Sequence, residues 1–211
     1  MSSARYVSSA PNHRLLPLLQ AGGGLPLPEI ALLGRSNVGK SSLINYLFGT
    51  RGKGLARVSS TPGKTQQLHL FIWESLAVVD LPGYGFAEVP LSVQKKWGPM
   101  VHKYLEQRLP LRLVLFAWDV RRDPGPEERQ LLHWLRAHDR TVALAVTKGD
   151  KVVQGKRKAR MNQLAQLFGA LLEGAPPPMA LLSAHEGWGK KELLNLLAPL
   201  TQVIDPREAA P

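Results

Sequence analysis

The sequence contains no cysteine, and none of its 211 residues belongs to an apolar run long enough to cross a bilayer. Without cysteine there are neither disulfides nor thiolate metal sites, and a reducing compartment is allowed. The amino terminus also lacks the apolar core of a signal peptide, so we expect a cytoplasmic protein without a membrane partner. Because 44% of the residues are hydrophobic and 20% are charged, the chain suits one α/β domain with a core of ordinary size.

Acidic residues are scarce relative to basic ones. The chain has 16 Asp and Glu against 27 Lys and Arg, which gives a formal net charge of +11. This surplus favours a polyanionic partner, because clustered cations gain affinity by displacing counterions from a phosphate backbone. An anionic lipid surface is the weaker alternative, since the sequence shows neither a lipidation signal nor a basic block beside an apolar segment.

The most informative segment has the spacing G-x-x-x-x-G-K-S. An apolar run at residues 30–33 precedes it and residues 42–48 follow with helical spacing, which is the strand, loop and helix context of a phosphate-binding loop. Successive N–H groups of such a loop converge on an anion at the positive end of the helix. We predict that Lys40 reaches the terminal phosphates and that Ser41 binds Mg²⁺; a glycine-rich turn that binds nothing is the alternative. The predicted phosphate-loop residues are Gly34, Arg35, Ser36, Asn37, Val38, Gly39, Lys40, Ser41 and Ser42.

A polar, turn-prone segment at residues 59–66 shows no face that could join a core. By itself it is compatible with an ordinary surface loop. Its position shortly after a phosphate-binding helix also suits a switch that senses the nucleotide, with Thr65 meeting Mg²⁺ and the terminal phosphate. The predicted contacts in this segment are Thr61, Pro62, Gly63, Lys64 and Thr65.

Two strands at residues 68–73 and 76–79 flank a two-residue turn and predict a hairpin. The second strand leads directly into Asp80, Leu81, Pro82 and Gly83, which have the pattern D-x-x-G. Asp80 would hold the water shell of Mg²⁺, and the N–H of Gly83 would follow the terminal phosphate. Ligands of α/β sheets lie beyond the carboxyl ends of the strands, so the place of this motif strengthens it.

Further apolar runs at residues 111–118, 141–146 and 179–182 alternate with segments of helical spacing. This alternation predicts an α/β fold with a mostly parallel six-stranded sheet and helices on both faces. Prolines and a run of three glycines at residues 22–24 suggest a flexible arm at residues 1–27, followed by the folded domain at 28–200 and a flexible tail at 201–211.

Two segments at strand ends predict which base is bound. Thr147, Lys148, Gly149 and Asp150 follow one buried strand, and residues 182–184 end the last strand. Asp150 can accept both the ring N–H and the exocyclic amine of guanine, whereas adenine would leave the carboxylate charge unpaired. The stem of Lys148 could cover the base, and the N–H of Ala184 could donate to the guanine carbonyl. We therefore predict a site for GTP and GDP whose second base-binding segment consists of Leu182, Ser183 and Ala184.

Residues 34–45, 61–66, 80–85 and 147–151 together resemble the EngB group (also called YihA or YsxC) of bacterial ribosome-biogenesis GTPases, part of the TrmE-Era-EngA-EngB-like proteins. The resemblance covers about residues 28–200, and Thr-Pro-Gly-Lys-Thr-Gln with Asp-Leu-Pro-Gly-Tyr-Gly is its most specific part. It implies a Ras-like P-loop GTPase domain, Mg²⁺ as cofactor, and the large ribosomal subunit or its precursor rRNA as partner of a monomer. The sequence departs from the group at Ala184, where a second Ser is frequent, and from most GTPases at Thr147, where Asn is usual.

The residue after D-x-x-G is Tyr84, where many GTPases carry a Gln that orients water, so we expect slow GTP hydrolysis. The resemblance implies that Asn37 helps to bind a potassium ion beside the phosphates, and Lys40 and Gly83 complete the predicted catalytic set. Asn37 could instead stabilise only the loop backbone. A protein that binds guanine nucleotides without turnover, and acts as a switch on another RNA or protein partner, is the alternative function.

A run of cations opens one predicted helix, and two more stand in a glycine-rich connection. We predict that these side chains face rRNA, with a solvated helix face as the alternative. They are Arg51, Lys53, Lys156, Arg157, Lys158 and Arg160.

Overall fold

The computed structural model describes residues 4–20, 24–49, 67–84 and 91–200, with the backbone alone for residues 91–97 and 200. The strands are β1 (Ala4–Ala10), β2 (Glu29–Gly34), β3 (Leu68–Trp73), β4 (Leu76–Asp80), β5 (Leu111–Asp119), β6 (Val142–Thr147) and β7 (Met179–Leu181). The helices are α1 (Lys40–Leu47), α2 (Leu91–Gln107), α3 (Pro126–Ala137), α4 (Gln154–Leu172) and α5 (Lys190–Leu197), with single 3₁₀ turns at His13–Leu15, Gly149–Lys151 and Ala198–Leu200.

All seven strands form one sheet in the order β1-β3-β4-β2-β5-β6-β7. Strands β4, β2, β5, β6 and β7 are parallel to their neighbours in that order, whereas β3 runs antiparallel to both β4 and β1. The expected α/β fold with a mostly parallel sheet is confirmed. The described residues contain one strand more than the six that the sequence predicts.

Helices cover both faces of the sheet, as the continuous apolar strands predict. Alternate residues of β2 serve the two faces. Ile30 and Leu32 pack in a cluster with α1 and α5, and Ala31 and Leu33 pack in a second cluster with α2, α3 and α4. Because a central strand is buried on both sides, its carboxyl end is held rigidly where the next segment begins.

The additional strand is β1, which pairs antiparallel with β3 from Ala4 opposite Trp73 to Ala10 opposite Leu68. The prediction of a flexible arm is therefore wrong for Ala4–Ala10, whose backbone is hydrogen-bonded into the sheet. This strand covers the edge that β3 would otherwise expose. The predicted tail at residues 201–211 lies outside the described residues.

A buried ion pair fastens the segment after β1 to the domain. Arg108, at the end of α2, donates to the carboxylate of Glu29 at 3.0 Å, and Tyr104 donates to the same carboxylate at 2.5 Å. The other guanidinium N–H groups reach the backbone carbonyls of His13, Leu16 and Pro17 at 2.9–3.3 Å. One cation thus joins α2, β2 and the chain before β2.

Among the described residues, no helix combines the length and the hydrophobicity that crossing a membrane requires.

Candidate guanine-nucleotide site

The phosphate loop connects β2 to α1 as the sequence predicts. Gly34 ends the strand, where an added Cβ would lie 2.8 Å from the carbonyl oxygen of Ala117 on β5. Val38 turns its side chain into the core, and Gly39, with φ of 107°, directs the chain into α1 at Lys40. The positive end of α1 therefore points at the carboxyl edge of the sheet, where an anion is stabilised.

The D-x-x-G segment lies against the phosphate loop. A Cβ on Gly83 would be 2.9 Å from the hydroxyl oxygen of Ser36 and 3.0 Å from Nζ of Lys40. Backbone bonds also join the two segments, because the Ser36 N–H donates to the Tyr84 carbonyl at 3.1 Å and the Tyr84 N–H donates to the Gly34 carbonyl at 3.3 Å. Ser36 and Tyr84 are 48 positions apart in the sequence, yet their segments form one surface.

Asp80, which is buried, and Lys40, which is partly buried, influence each other's charge in this surface. Burial raises the pKa of Asp80 to about 6, against the opposing effect of the Lys40 cation. Burial likewise lowers the pKa of Lys40, and the charge of Asp80 partly offsets that shift. Each charge is poorly hydrated, so both groups gain when phosphate and a metal ion bring further charge to the site.

The residues fit a magnesium ion. Oδ1 of Asp80 and the hydroxyl oxygen of Ser36 are buried, and neither has a hydrogen-bond partner in the part of the chain that the structure describes. Oxygen donors of this kind are the ligands that Mg²⁺ prefers, directly or through water. Ser41 stands in the first turn of α1, beside these groups in sequence. Thr65 and the rest of the predicted switch at residues 61–65 lie outside the described residues.

The first predicted base-binding segment, residues 147–150, is hydrogen-bonded to the phosphate loop. The Thr147 hydroxyl lies 2.7 Å from the Val38 carbonyl and 3.0 Å from that of Trp118, so one proton serves two acceptors. Nζ of Lys148 donates to the Asn37 carbonyl at 2.7 Å. Thr147 therefore makes a connection to the phosphate loop although it replaces the usual Asn.

The second base-binding segment meets the first through two bonds. The Ser183 hydroxyl donates to Oδ1 of Asp150 at 2.7 Å, and the Gly149 N–H donates to the Leu182 carbonyl at 3.0 Å. Although burial alone would raise it, the pKa of Asp150 is lowered by the bond from Ser183 and by Lys151, whose Nζ lies 3.2 Å away. The carboxylate is thus ionised at neutral pH, as guanine recognition requires. Ala184 follows directly, partly buried against the core.

Asp119 lies beside the predicted base-binding segment, although none of the sequence motifs includes it. It ends β5 opposite Thr147, its Oδ2 lies 3.0 Å from Nζ of Lys148, and Arg121 donates to both of its oxygens at 2.7 and 2.9 Å. Burial would raise the pKa of Asp119, but the bonds from Arg121 and Lys148 hold it well below its usual range. Its position directly after a buried strand, like that of Asp80, is the signal that could have identified it.

Tyr84 and Arg35 turn toward α3. The Tyr84 hydroxyl donates to Glu128 at 3.1 Å, and its ring stacks on Phe116 with centres 5.8 Å apart. Arg35 donates to Glu127 at 2.8 Å. Burial, with a further contribution from Glu128, raises the pKa of Tyr84 far above its usual value, so its hydroxyl stays protonated. The Tyr84 side chain therefore contacts α3.

The cations predicted to face rRNA divide into two groups. Arg157 donates to the Val152 carbonyl at 3.0 Å, and Arg160 pairs with Asp123 at 2.7 Å while it also donates to the carbonyls of Val120 and Arg122. These two arginines are engaged within the domain, whereas Lys156 and Lys158 are exposed on α4. Arg51 and Lys53 lie outside the described residues.

Comparison with known proteins identifies the domain. A family model described as "50S ribosome-binding GTPase" matches residues 29–148. A probable GTP-binding protein EngB of Protochlamydia amoebophila is 48% identical over 213 residues, which cover 97% of each chain. A second probable GTP-binding protein EngB, from Geobacter metallireducens, is 45% identical over 92% of this chain and 89% of its own.

Solved structures share the fold. A crystal structure of a probable GTP-binding protein EngB superposes with a TM-score of 0.62 at 23% identity, over 82% of this chain and 98% of the other. The structure of Era in complex with MgGDPNP and a segment of 16S ribosomal RNA gives a TM-score of 0.66 at 19% identity, over 85% of this chain and 58% of Era. The resemblance seen in the four sequence segments is confirmed: the chain belongs to the EngB family of GTP-binding proteins and carries a GTPase domain of the Ras-like fold.

Proposed function

We propose that this protein is a slow, Mg²⁺-dependent cytoplasmic GTPase that assists assembly of the large ribosomal subunit as a monomer. The observation that carries the nucleotide part is the meeting of four strand ends at one edge of the sheet, which brings Lys40, Asp80 and Asp150 to that edge. The ribosomal part is supported by the description of the matching family and by the net charge of +11.

The proposed roles combine the order of the motifs in the sequence with the arrangement of the described segments. N–H groups of residues 34–42 and the ammonium of Lys40 bind the phosphates, while Ser41, Thr65 and Asp80 hold Mg²⁺, the last through water. When bound there, Mg²⁺ would supply positive charge against the charge that develops on the phosphates during transfer. The N–H of Gly83 binds the terminal phosphate, and residues 147–150 and 182–184 bind the base, with Lys148 covering it.

Guanine recognition by Asp150 is tested with Asp150→Asn. The amide keeps a hydrogen bond to xanthine but loses the charge-assisted contact with guanine. GTP affinity should fall by about 10- to 150-fold, as expected for a loss of roughly 1.5–3 kcal/mol, while xanthosine triphosphate should bind better. Asp139→Asn, an exposed position at the end of α3, is the control. Unchanged GTP affinity in Asp150→Asn would remove the guanine assignment.

We expect slow hydrolysis because Tyr84 stands where many GTPases carry a water-orienting Gln. The hydroxyl of Tyr84 instead contacts Glu128 on α3. Asn37, which is exposed and has φ of 59°, supplies a carbonyl already bound by Lys148. We infer that its side chain helps to hold a potassium ion, which offsets the charge of phosphoryl transfer.

Hydrolysis should be measured in potassium and in sodium at equal ionic strength. The wild-type rate should be about tenfold or more higher in potassium, as expected when a fixed cation stabilises the transition state, and Asn37→Ala should lose that difference. Equal rates in both salts, or an Asn37→Ala protein that keeps its response to potassium, would show that Asn37 serves the loop alone.

The ribosomal role is tested by sedimentation of the purified protein with ribosomal subunits. The protein should travel with the large subunit or its precursor in the presence of GTP or a non-hydrolysable analogue, and it should be released with GDP. Cells depleted of the protein should accumulate incomplete large subunits. Sedimentation that ignores the nucleotide, together with normal subunit profiles after depletion, would contradict this role.

A second candidate function is a guanine-nucleotide switch that acts by its bound state and not by turnover, on another RNA or protein partner. The position of Tyr84 favours it, since this residue stands where many GTPases carry a water-orienting Gln and its hydroxyl contacts Glu128 on α3. Single-turnover measurements in the presence of large subunits distinguish the two. Faster hydrolysis on the subunit supports the enzyme, and unchanged hydrolysis with GTP-dependent binding supports the switch.

A further inference from the structure

Trp188 lies between the segments that follow β6 and β7, and the roles described above leave it unused. A Cβ on Gly149 would lie 2.4 Å from Cη2 and 3.1 Å from Cζ2 of its ring. Real Cβ atoms do not approach other atoms within 3.0 Å, so the edge of the indole occupies the space that any side chain at position 149 would need. The ring therefore rests on the backbone of the first base-binding segment.

The contact with Trp188, and not the backbone conformation, explains why position 149 is a glycine. Its φ angle lies outside the left-handed region, so an alanine could adopt the same backbone. The obstruction comes from Trp188 and, less closely, from Cδ1 of Leu181 at 3.2 Å. Gly149 and Trp188 are therefore complementary in shape.

The ring of Trp188 is fixed from three directions. Its Nε1 donates to Glu186 at 2.8 Å, and the guanidinium carbon of Arg157 lies 4.4 Å from the ring centre. Arg157 is held in turn by a bond to the Val152 carbonyl. Two backbone bonds with Ser183, at 3.1 and 3.2 Å, fix the main chain of Trp188. A clash with residue 149 would consequently move the base-binding segment and not the ring.

We propose that Trp188 is a positioning residue of the guanine site. By setting the separation between Gly149 and the Ser183 segment, its ring keeps the Asp150 carboxylate aimed at both N–H donors of guanine. The bonds from Ser183 to Asp150, at 2.7 Å, and from Gly149 to Leu182, at 3.0 Å, cross that separation, so a change in it would strain both. The proposal rests on guanine recognition by Asp150.

A double-mutant cycle in the full chain tests the contact. GDP affinity is measured for the wild type, Gly149→Ala, Trp188→Ala and the double variant. Gly149→Ala should weaken GDP binding about tenfold or more in the presence of the ring, and less than about twofold once the ring is removed, because interacting residues do not have additive effects. The same penalty for Gly149→Ala in both backgrounds would overturn the proposal.

Selectivity between nucleotides distinguishes a positioning role of Trp188 from a general contribution to the stability of the fold. Inosine diphosphate lacks the exocyclic amine that Asp150 is proposed to bind, so it reports how well the carboxylate is aimed. Trp188→Ala should reduce the preference for GDP over inosine diphosphate by about threefold or more, as a coupling of moderate size implies. Trp134→Ala, which removes another partly buried tryptophan on α3, should leave that preference unchanged. Equal loss of both affinities in Trp188→Ala would reduce the ring to a structural element.

Asp150→Asn distinguishes failure of this proposal from failure of the guanine assignment. If Asp150→Asn does not shift the preference from guanine to xanthine nucleotides, the assignment of Asp150 to guanine recognition is lost. If Asp150→Asn behaves as expected and the cycle is additive, the role of Trp188 alone is overturned.

Discussion

A single carboxylate, Asp119, holds the basic side chains around the base-binding segment. It pairs with Lys148 and Arg121, and Lys148 reaches on to the phosphate loop through the Asn37 carbonyl. Asp119 is almost completely buried, and Arg121 is more exposed than Lys148. Solvent therefore screens the bond from Asp119 to Arg121 more than the bond to Lys148. Through Lys148, Asp119 thus connects the end of β5 with the phosphate loop.

We predict that Asp119→Asn lowers the free energy of unfolding at pH 7 by roughly 1.5–3 kcal/mol, the usual contribution of bonds to a charged group. The pKa of Asp119 lies below its unfolded value of 3.8, so its stabilisation is present above that value and is lost as the pH falls through the folded value. Urea denaturation at pH 7 and pH 3 measures the effect.

The difference in the free energy of unfolding between the wild type and Asp119→Asn should therefore be smaller at pH 3 than at pH 7. Asp123→Asn, which removes an exposed partner of Arg160, is a control with a small effect at both pH values. A difference that stays constant between pH 7 and pH 3 would contradict the pKa that the structure implies.

Sequence patterns identify residues whose role follows from their place at a strand end. Lys40, Asp80 and Asp150 were predictable because their order along the chain and their position after apolar strands are enough to bring them to one edge. Trp188 was not, since its role depends on the absence of a side chain at Gly149, which is 39 positions away. Contacts of this kind have no periodicity and no local signature.

At the scale of elements, β1 and the turn after it depend on contacts with distant parts of the chain. The sequence of Ala4–Ala10 is only weakly apolar and alternates poorly, so it does not predict a strand. Its partner β3 supplies the backbone bonds, and Arg108 binds the carbonyls that follow. Tertiary pairing overrides weak local preference here, as is common for edge strands.

We predict that Arg108→Ala lowers the free energy of unfolding by about 3–5 kcal/mol, because it leaves the buried carboxylate of Glu29 without its cation. Chemical denaturation measures this loss, and limited proteolysis near residues 13–17 should become faster. Replacement of both partners, as Glu29→Gln with Arg108→Met, should cost less than Arg108→Ala alone.

Arg112→Ala on β5, an exposed position, is the control and should change stability by less than about 0.5 kcal/mol. A loss of only this size for Arg108→Ala would mean that the ion pair does not hold the amino-terminal segment.

For the whole molecule, the net charge of +11 is not evenly available to a partner. Arg157 and Arg160 are used within the domain, so the cations of α4 that can meet a phosphate backbone are Lys156 and Lys158. The composition predicted a polyanionic partner, but only the structure separates cations that support the fold from cations that are exposed. The surface proposed for rRNA is consequently smaller than the sequence suggested.

We predict that binding to the large subunit weakens with salt, and that Lys156→Glu with Lys158→Glu reduces the log–log slope by roughly two, about one for each lost phosphate contact. Lys103→Glu with Lys191→Glu changes the net charge equally at exposed positions of α2 and α5, and this control should keep the wild-type slope. Equal slopes for all three proteins would assign the α4 lysines to a solvated helix face.

The paired backbone bonds between the phosphate loop and the D-x-x-G segment have a consequence for hydrogen exchange. The amide protons of Ser36 and Tyr84 each lie in a bond that crosses from one segment to the other. Neither proton can be replaced by solvent deuterium until the segments separate, so the two amides should exchange at closely similar, slow rates. A ligand that separates the two segments would expose both protons to exchange at the same time. Faster exchange at these two amides would therefore report that the site has opened.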